Sequence, residues 1–104
     1  MHIPGPYQQF SKDFPELAEI YQKLGKTCRE AGPLDAKCQD LVKLGIAIGA
    51  NSRGAVMSHT RKSLASGASS EEIVHVALLS LTTGGFPNMI ACLAWIKEVL
   101  DKEA

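Results

Sequence analysis

Surplus charge is absent from this sequence: lysine plus arginine and aspartate plus glutamate number 11 each, for a formal net charge of zero. A balanced chain exerts no long-range pull on polyanions, so no nucleic-acid partner is expected. Long apolar runs are also missing, none approaching the ~20 residues a bilayer-spanning helix needs, so no membrane partner is expected. The opening MHIPGPYQQF lacks the basic-then-apolar pattern of a secretory signal. Cysteine is scarce: Cys28, Cys38 and Cys92 stand apart with no C-x-x-C spacing. An odd number of scattered thiols without a signal points to a reducing compartment, and the expectation is a soluble cytoplasmic protein with free thiols. Three histidines and three cysteines, equally scattered, offer no metal-ligand spacing, so neither metal nor cofactor is expected. No internal repeat or low-complexity segment occurs, and β-branched residues never alternate with polar ones for long, which argues against a sheet.

What is present is helical punctuation. A chain of 104 residues favours one domain and buries roughly 65% of its unfolded surface on folding. Residues 1–13 carry Pro4, Gly5 and Pro6 without periodicity and read as an N-terminal arm, loose or lying on a neighbour. The helical domain then runs from 14 to 104. Pro15 suits a first helical turn, and Leu17, Ile20, Tyr21 and Leu24 form one buried stripe before Gly32-Pro33 ends the helix. Asp35 caps a second helix that reaches Ala50, with Gly45 and Gly49 read as points of close approach by another helix. A third runs through Asn51–Gly67, with Gly67 as its stop. Ser69 and Glu72 form a capping box for a fourth, continuous to Gly84, and Pro87 opens a fifth. The expected fold is all-α, a single-domain bundle of five main helices. Helices two, four and the start of five are too apolar for a chain this small to cover, so a homo-oligomer is expected.

The third helix carries the chemistry. His59 has Ala55 four residues and Ser52 seven residues before it, which places all three on one stripe, and Asp40 lies on the preceding helix. An imidazole with a carboxylate is the raw material of proton transfer. Ser52 reads equally as a helix cap or as a ligand to water or substrate. His75 reads as a core or interface histidine and His2 as part of the arm. Cys92, amid apolar neighbours, reads as an inert buried thiol, whereas Cys28, beside Lys26 and Arg29, is the most reactive by charge. Met89 and Trp95 read as core or subunit contact.

SHTRKSLASGASSEEIVHVALLSLTTGGFPNMIACLAWIKEVL, preceded by LDAKCQDLVKLGIAIGAN, resembles the carboxymuconolactone decarboxylase family, which includes the alkylhydroperoxidase D-like proteins. The matching pieces are His59-Thr60-Arg61 with Leu64, Gly67-Ala68-Ser69 with Glu71-Glu72-Ile73, and Gly84-Gly85 with Pro87, over about residues 14–100. The resemblance implies an all-helical fold assembling as trimers or hexamers, with sites near subunit contacts. It also implies one of two chemistries. The peroxide-reducing branch uses C-x-x-C, a histidine four residues on and a glutamate twelve residues before the first cysteine. Here those positions hold Ser52, Ala55, His59 and Asp40, so the acid and the imidazole remain and both thiols are gone. The other branch decarboxylates a γ-lactone without needing the dithiol, with a small anionic ligand near the same histidine; for such a substrate, Arg53 and Arg61 have the guanidinium groups to hold its carboxylate. A non-catalytic oligomeric binding or scaffold protein is the third reading.

Overall fold

Turn chemistry, more than propensity, sets where the helices of this chain start and stop. The structure, a computed structural model, describes residues 5–103, among which there are seven helices and no strands: α1 Gly5–Asp13, α2 Pro15–Glu30, α3 Ala36–Gly49, α4 Arg53–Ala65, α5 Ser70–Leu79, α6 Leu81–Gly84 and α7 Phe86–Glu103. The all-α expectation holds. The chain divides into two compact units, Met1–Leu34 and Asp35–Ala104.

In the first unit, the stretch expected as an irregular arm is helical from Gly5 onward; His2 lies outside the described residues. The missed signal is aromatic. Tyr7, Phe10 and Phe14 recur at three and four residues, with ring centroids 6.4 and 5.7 Å apart, a helical spacing hidden by Pro4-Gly5-Pro6. Pro15 takes the first turn of α2 as expected. The α2 stripe departs from expectation: Leu17, Ile20, Tyr21 and Leu24 are exposed, and Ala18 is the buried residue of that helix. A unit of two helices has too little surface to cover such a stripe. With Tyr7 and Phe10 these four side chains line an open apolar groove of about 470 Å³.

The second unit begins where the Asp35 carboxylate accepts from the Cys38 N–H at 2.8 Å and starts α3. Helix α3 ends at Asn51, whose φ of 52° is left-handed, a conformation asparagine tolerates. The Asn51 N–H donates to Ile48 O and the Ser52 N–H to Ala47 O, the paired bonds of a Schellman stop. Helix α4 ends the same way at Gly67, φ 96°, with Gly67 N–H on Leu64 O and Ala68 N–H on Ser63 O. The capping box is present with both its bonds, Ser69 to Glu72 and Glu72 to Ser69. Lys37 Nζ also reaches the Glu72 carboxylate at 3.0 Å and ties the starts of α3 and α5 together. The Ser69 backbone N–H first, and Lys37 second, hold the Glu72 carboxyl below the usual glutamate range. The fourth helix is not continuous as expected. It breaks after Leu79, where the Ser80 hydroxyl and N–H both donate to Ala77 O and leave α6 as a separate turn.

Leu44 and Ile48 of α3, Val56 of α4, Ile73 and Ala77 of α5, and Cys92 and Ile96 of α7 form the buried cluster. Met89 is buried, and Trp95 packs on the cluster's edge. Gly45 and Gly49 are not close-approach points: a Cβ at Gly45 would meet Val76 Cγ1 at an ordinary 3.6 Å, and one at Gly49 would meet nothing within 4 Å. His75, expected in core or interface, is exposed on α5. The buried face of that helix runs through Ile73 and Ala77, and His75 lies between them on the far side.

Candidate functional site

Helices α3 and α4 form an antiparallel hairpin across the short turn at Asn51, and α7 packs along α4. The hairpin's open end is closed by a polar contact. Ser66, the C-cap of α4, donates its hydroxyl to Asp40 Oδ2 on α3. Asp40 is 3% exposed, so a carboxylate is held inside the helix seam. Burying a charge is costly unless hydrogen bonds compensate it, and the Ser66 hydroxyl is one such bond.

His59 is half-buried on α4, with its Nδ1 atom shielded from solvent. At about 3.6 residues per turn, Ser63 and Ser66 lie on the same stripe of α4 as His59, one and two turns further on. Ser63 is fully buried, and its Oγ has no hydrogen-bond partner among the described residues. The neighbouring buried hydroxyl of Thr60 is instead satisfied by Val56 O at 2.7 Å. An unpaired buried hydroxyl costs about 1–3 kcal/mol, which makes Ser63 the most polar-strained point of the stripe. Sequence reasoning followed the His59 stripe backward to Ala55 and Ser52 and missed its continuation. The same spacing, read forward, lands on Ser63 and Ser66.

Ser52 is exposed and is the N-cap of α4, its Oγ accepting from the Ala55 N–H at 3.4 Å. Arg53 is exposed and paired with Glu98 of α7 at 3.3 Å. Arg61 is half-buried on α4. Helical spacing puts Ser52 on the His59 stripe and both arginines off it.

Of the thiols, Cys28 is exposed in the first unit and Cys38 is half-buried in the first turn of α3. Cys92 is fully buried on α7, its Sγ donating to Ile48 O at 3.8 Å beside the Asn88 amide, which reaches the same carbonyl at 2.7 Å. Burial pushes the Cys92 thiol above its usual value and disfavours the thiolate that redox chemistry needs.

The sequence model of the carboxymuconolactone decarboxylase family matches residues 15–98. An uncharacterized protein of Haemophilus influenzae is 28% identical over 61 residues, which make up 59% of this chain and 54% of the relative. The chain therefore spans about half the length of that relative.

Proposed function

The chain belongs to the carboxymuconolactone decarboxylase family, and on that premise we propose that it works by proton transfer at an Asp40–His59 pair, without the dithiol of the peroxide-reducing branch. The observation that carries this reading is the buried Asp40 carboxylate, held by Ser66 in the seam of the same hairpin that bears His59. Counting equal numbers of residues away from Asn51 along the two antiparallel helices sets Asp40 level with Lys62, between His59 and Ser66. Buried ionisable groups cluster at functional sites, where proton transfer is part of the chemistry. Ser52 and Ala55 carry no sulfur, a serine hydroxyl is far too weakly acidic to replace a thiolate, and Cys92 is buried and bonded.

Decarboxylation of a small carboxylated γ-lactone fits this pair. The bond to the carboxylate breaks, CO2 leaves, the electron pair is held as an enolate, and His59 delivers the proton to carbon. Asp40 keeps the imidazole oriented. Arg53 and Arg61 are the guanidinium groups offered to the substrate carboxylate, with Arg53 exchanging Glu98 for it. The test is to titrate γ-lactones bearing a carboxylate while following the His59 ring by NMR and assaying CO2 release. A saturable shift of the ring signals with turnover is expected, and His59→Gln should lower turnover by about 10²–10⁴. A ring that ignores every such lactone, with no CO2 released, would sink the reading and favour the scaffold alternative.

The same reading includes self-assembly, as trimers or hexamers. Val42 and Ile46 of α3, Leu78 and Leu79 of α5, and Phe86 and Ile90 of α7 are all exposed, a large apolar area for one small unit. Light scattering is expected to give a closed oligomer that Ile46→Glu dissociates. A wild-type monomer at micromolar concentration would contradict it. No helix among the described residues is long and apolar enough to cross a membrane, and a cytoplasmic location is part of the proposal.

A further inference from the structure

We propose that Ser66 is a positioning residue for the proton-transfer site, its hydroxyl fixing the rotamer of the Asp40 carboxylate and through it the tautomer of His59. The inference rests on the Asp40–His59 reading above. An aspartate stands where the resemblance implies a glutamate, so the acid is one methylene shorter and reaches less far from its helix. A short, buried carboxylate needs a donor to hold its plane, and Ser66 Oγ supplies one to Oδ2. The donor comes from the stop of α4, where the two bonds at Gly67 fix the backbone and so fix where the hydroxyl starts from. The Ser66 bond to Oδ2 orients the whole carboxylate plane, and with it Oδ1.

The hydroxyl stripe supports this reading. Ser63 lies between His59 and Ser66 on one face of α4, its oxygen buried and unpartnered, so the polar character of the seam extends from the Asp40 contact toward the imidazole. Two cations on the packed elements are engaged in ion pairs. Lys37 of α3 pairs with Glu72 of α5, and Arg53 of α4 pairs with Glu98 of α7. Ser66 acts on Asp40 through a specific hydrogen bond.

The experiment compares the His59 ring 15N signals, which report the tautomer, at one fixed pH in wild type, Asp40→Asn, Ser66→Val and Ser66→Thr. Valine and threonine have the same shape and differ in the hydroxyl. Ser66→Val is expected to displace the ring signals by roughly half or more of the displacement in Asp40→Asn, while Ser66→Thr stays near wild type. If Asp40→Asn moves the ring and Ser66→Val does not, the role of Ser66 is overturned and the acid–base pair stands. If Ser66→Thr behaves as Ser66→Val, the hydroxyl is not the agent and the proposal fails. If neither Asp40→Asn nor Ser66→Val moves the ring, the pairing of Asp40 with His59 fails and this proposal with it. Ser66→Ala, which removes the hydroxyl without adding bulk, gives the same comparison should the valine variant not fold.

Discussion

Leu44→Ala is expected to cost about 3–5 kcal/mol of folding stability, the range for a large aliphatic side chain removed from a site that cannot collapse. Leu44 is fully buried, and its cluster draws on α3, α4, α5 and α7 at once, so the lost volume is bordered by four helices and no single one can move in to fill it. A domain of this size has roughly 5–10 kcal/mol in all, so the variant should lose about a third or more of its margin. Urea unfolding followed by circular dichroism would read the loss as a lowered midpoint at unchanged slope. Leu78, 47% exposed on α5, is the internal control. In an isolated subunit Leu78→Ala should stay within about 0.5 kcal/mol of wild type. A large cost at Leu78 would mean that the surface is covered by another copy, so the pair of substitutions separates core packing from assembly. An unchanged midpoint for Leu44→Ala would contradict the packing described for α3.

The stops and starts were legible because they depend on local chemistry. Asp35, Ser69 with Glu72, Gly67 and Pro15 each satisfy or remove a backbone group within four residues of themselves, and all four do so in the structure. Asn51 was harder: asparagine adopts a positive φ only when the flanking helices demand it, and no neighbouring residue announces that demand. The break at Ser80 was missed because apolar periodicity runs straight through it, and a single hydroxyl bonded to Ala77 O outweighs the pattern. The exposure of Leu17, Ile20, Tyr21 and Leu24 was misread for the opposite reason. A helical stripe shows which face seeks cover, and not whether the chain supplies it.

The site was half legible. His59, Ser52 and Ala55 follow from one spacing on one helix. The Asp40–Ser66 contact joins residues 26 positions apart and is set by how the two helices of the hairpin meet, which no local pattern encodes. The two arginines illustrate the converse. Their chemistry suits a carboxylate, yet Arg53 is engaged by Glu98, a residue 45 positions away whose charge alone gave no hint of the pairing.

Ser52→Cys/Ala55→Cys is expected to create dithiol-dependent peroxide reduction. Ser52 caps α4 and Ala55 sits three residues on, its N–H already bonded to Ser52 Oγ, so the two side chains are neighbours at one helix N-terminus. Thiols at that spacing lie within disulfide reach, and the positive end of the helix favours the thiolate. In Ser52→Cys/Ala55→Cys, one thiolate attacks a peroxide oxygen, the O–O bond breaks to release alcohol, and a sulfenic acid forms. The second thiol condenses with it, water leaves, and an added dithiol reduces the resulting disulfide. Both the protonation of the leaving alkoxide and the activation of the thiol call on an acid–base group, and His59 is one turn past position 55 on the same stripe. The double variant should consume an organic hydroperoxide at a dithiol-dependent rate absent from wild type. Adding His59→Gln should lower that rate by about 10²–10⁴. Loss of the serine cap costs about 1 kcal/mol, small enough for the fold to survive it. A folded variant that closes its disulfide but turns over no peroxide would show that His59 and Asp40 do not address the α4 N-terminus, which removes the basis for assigning them to any reaction there.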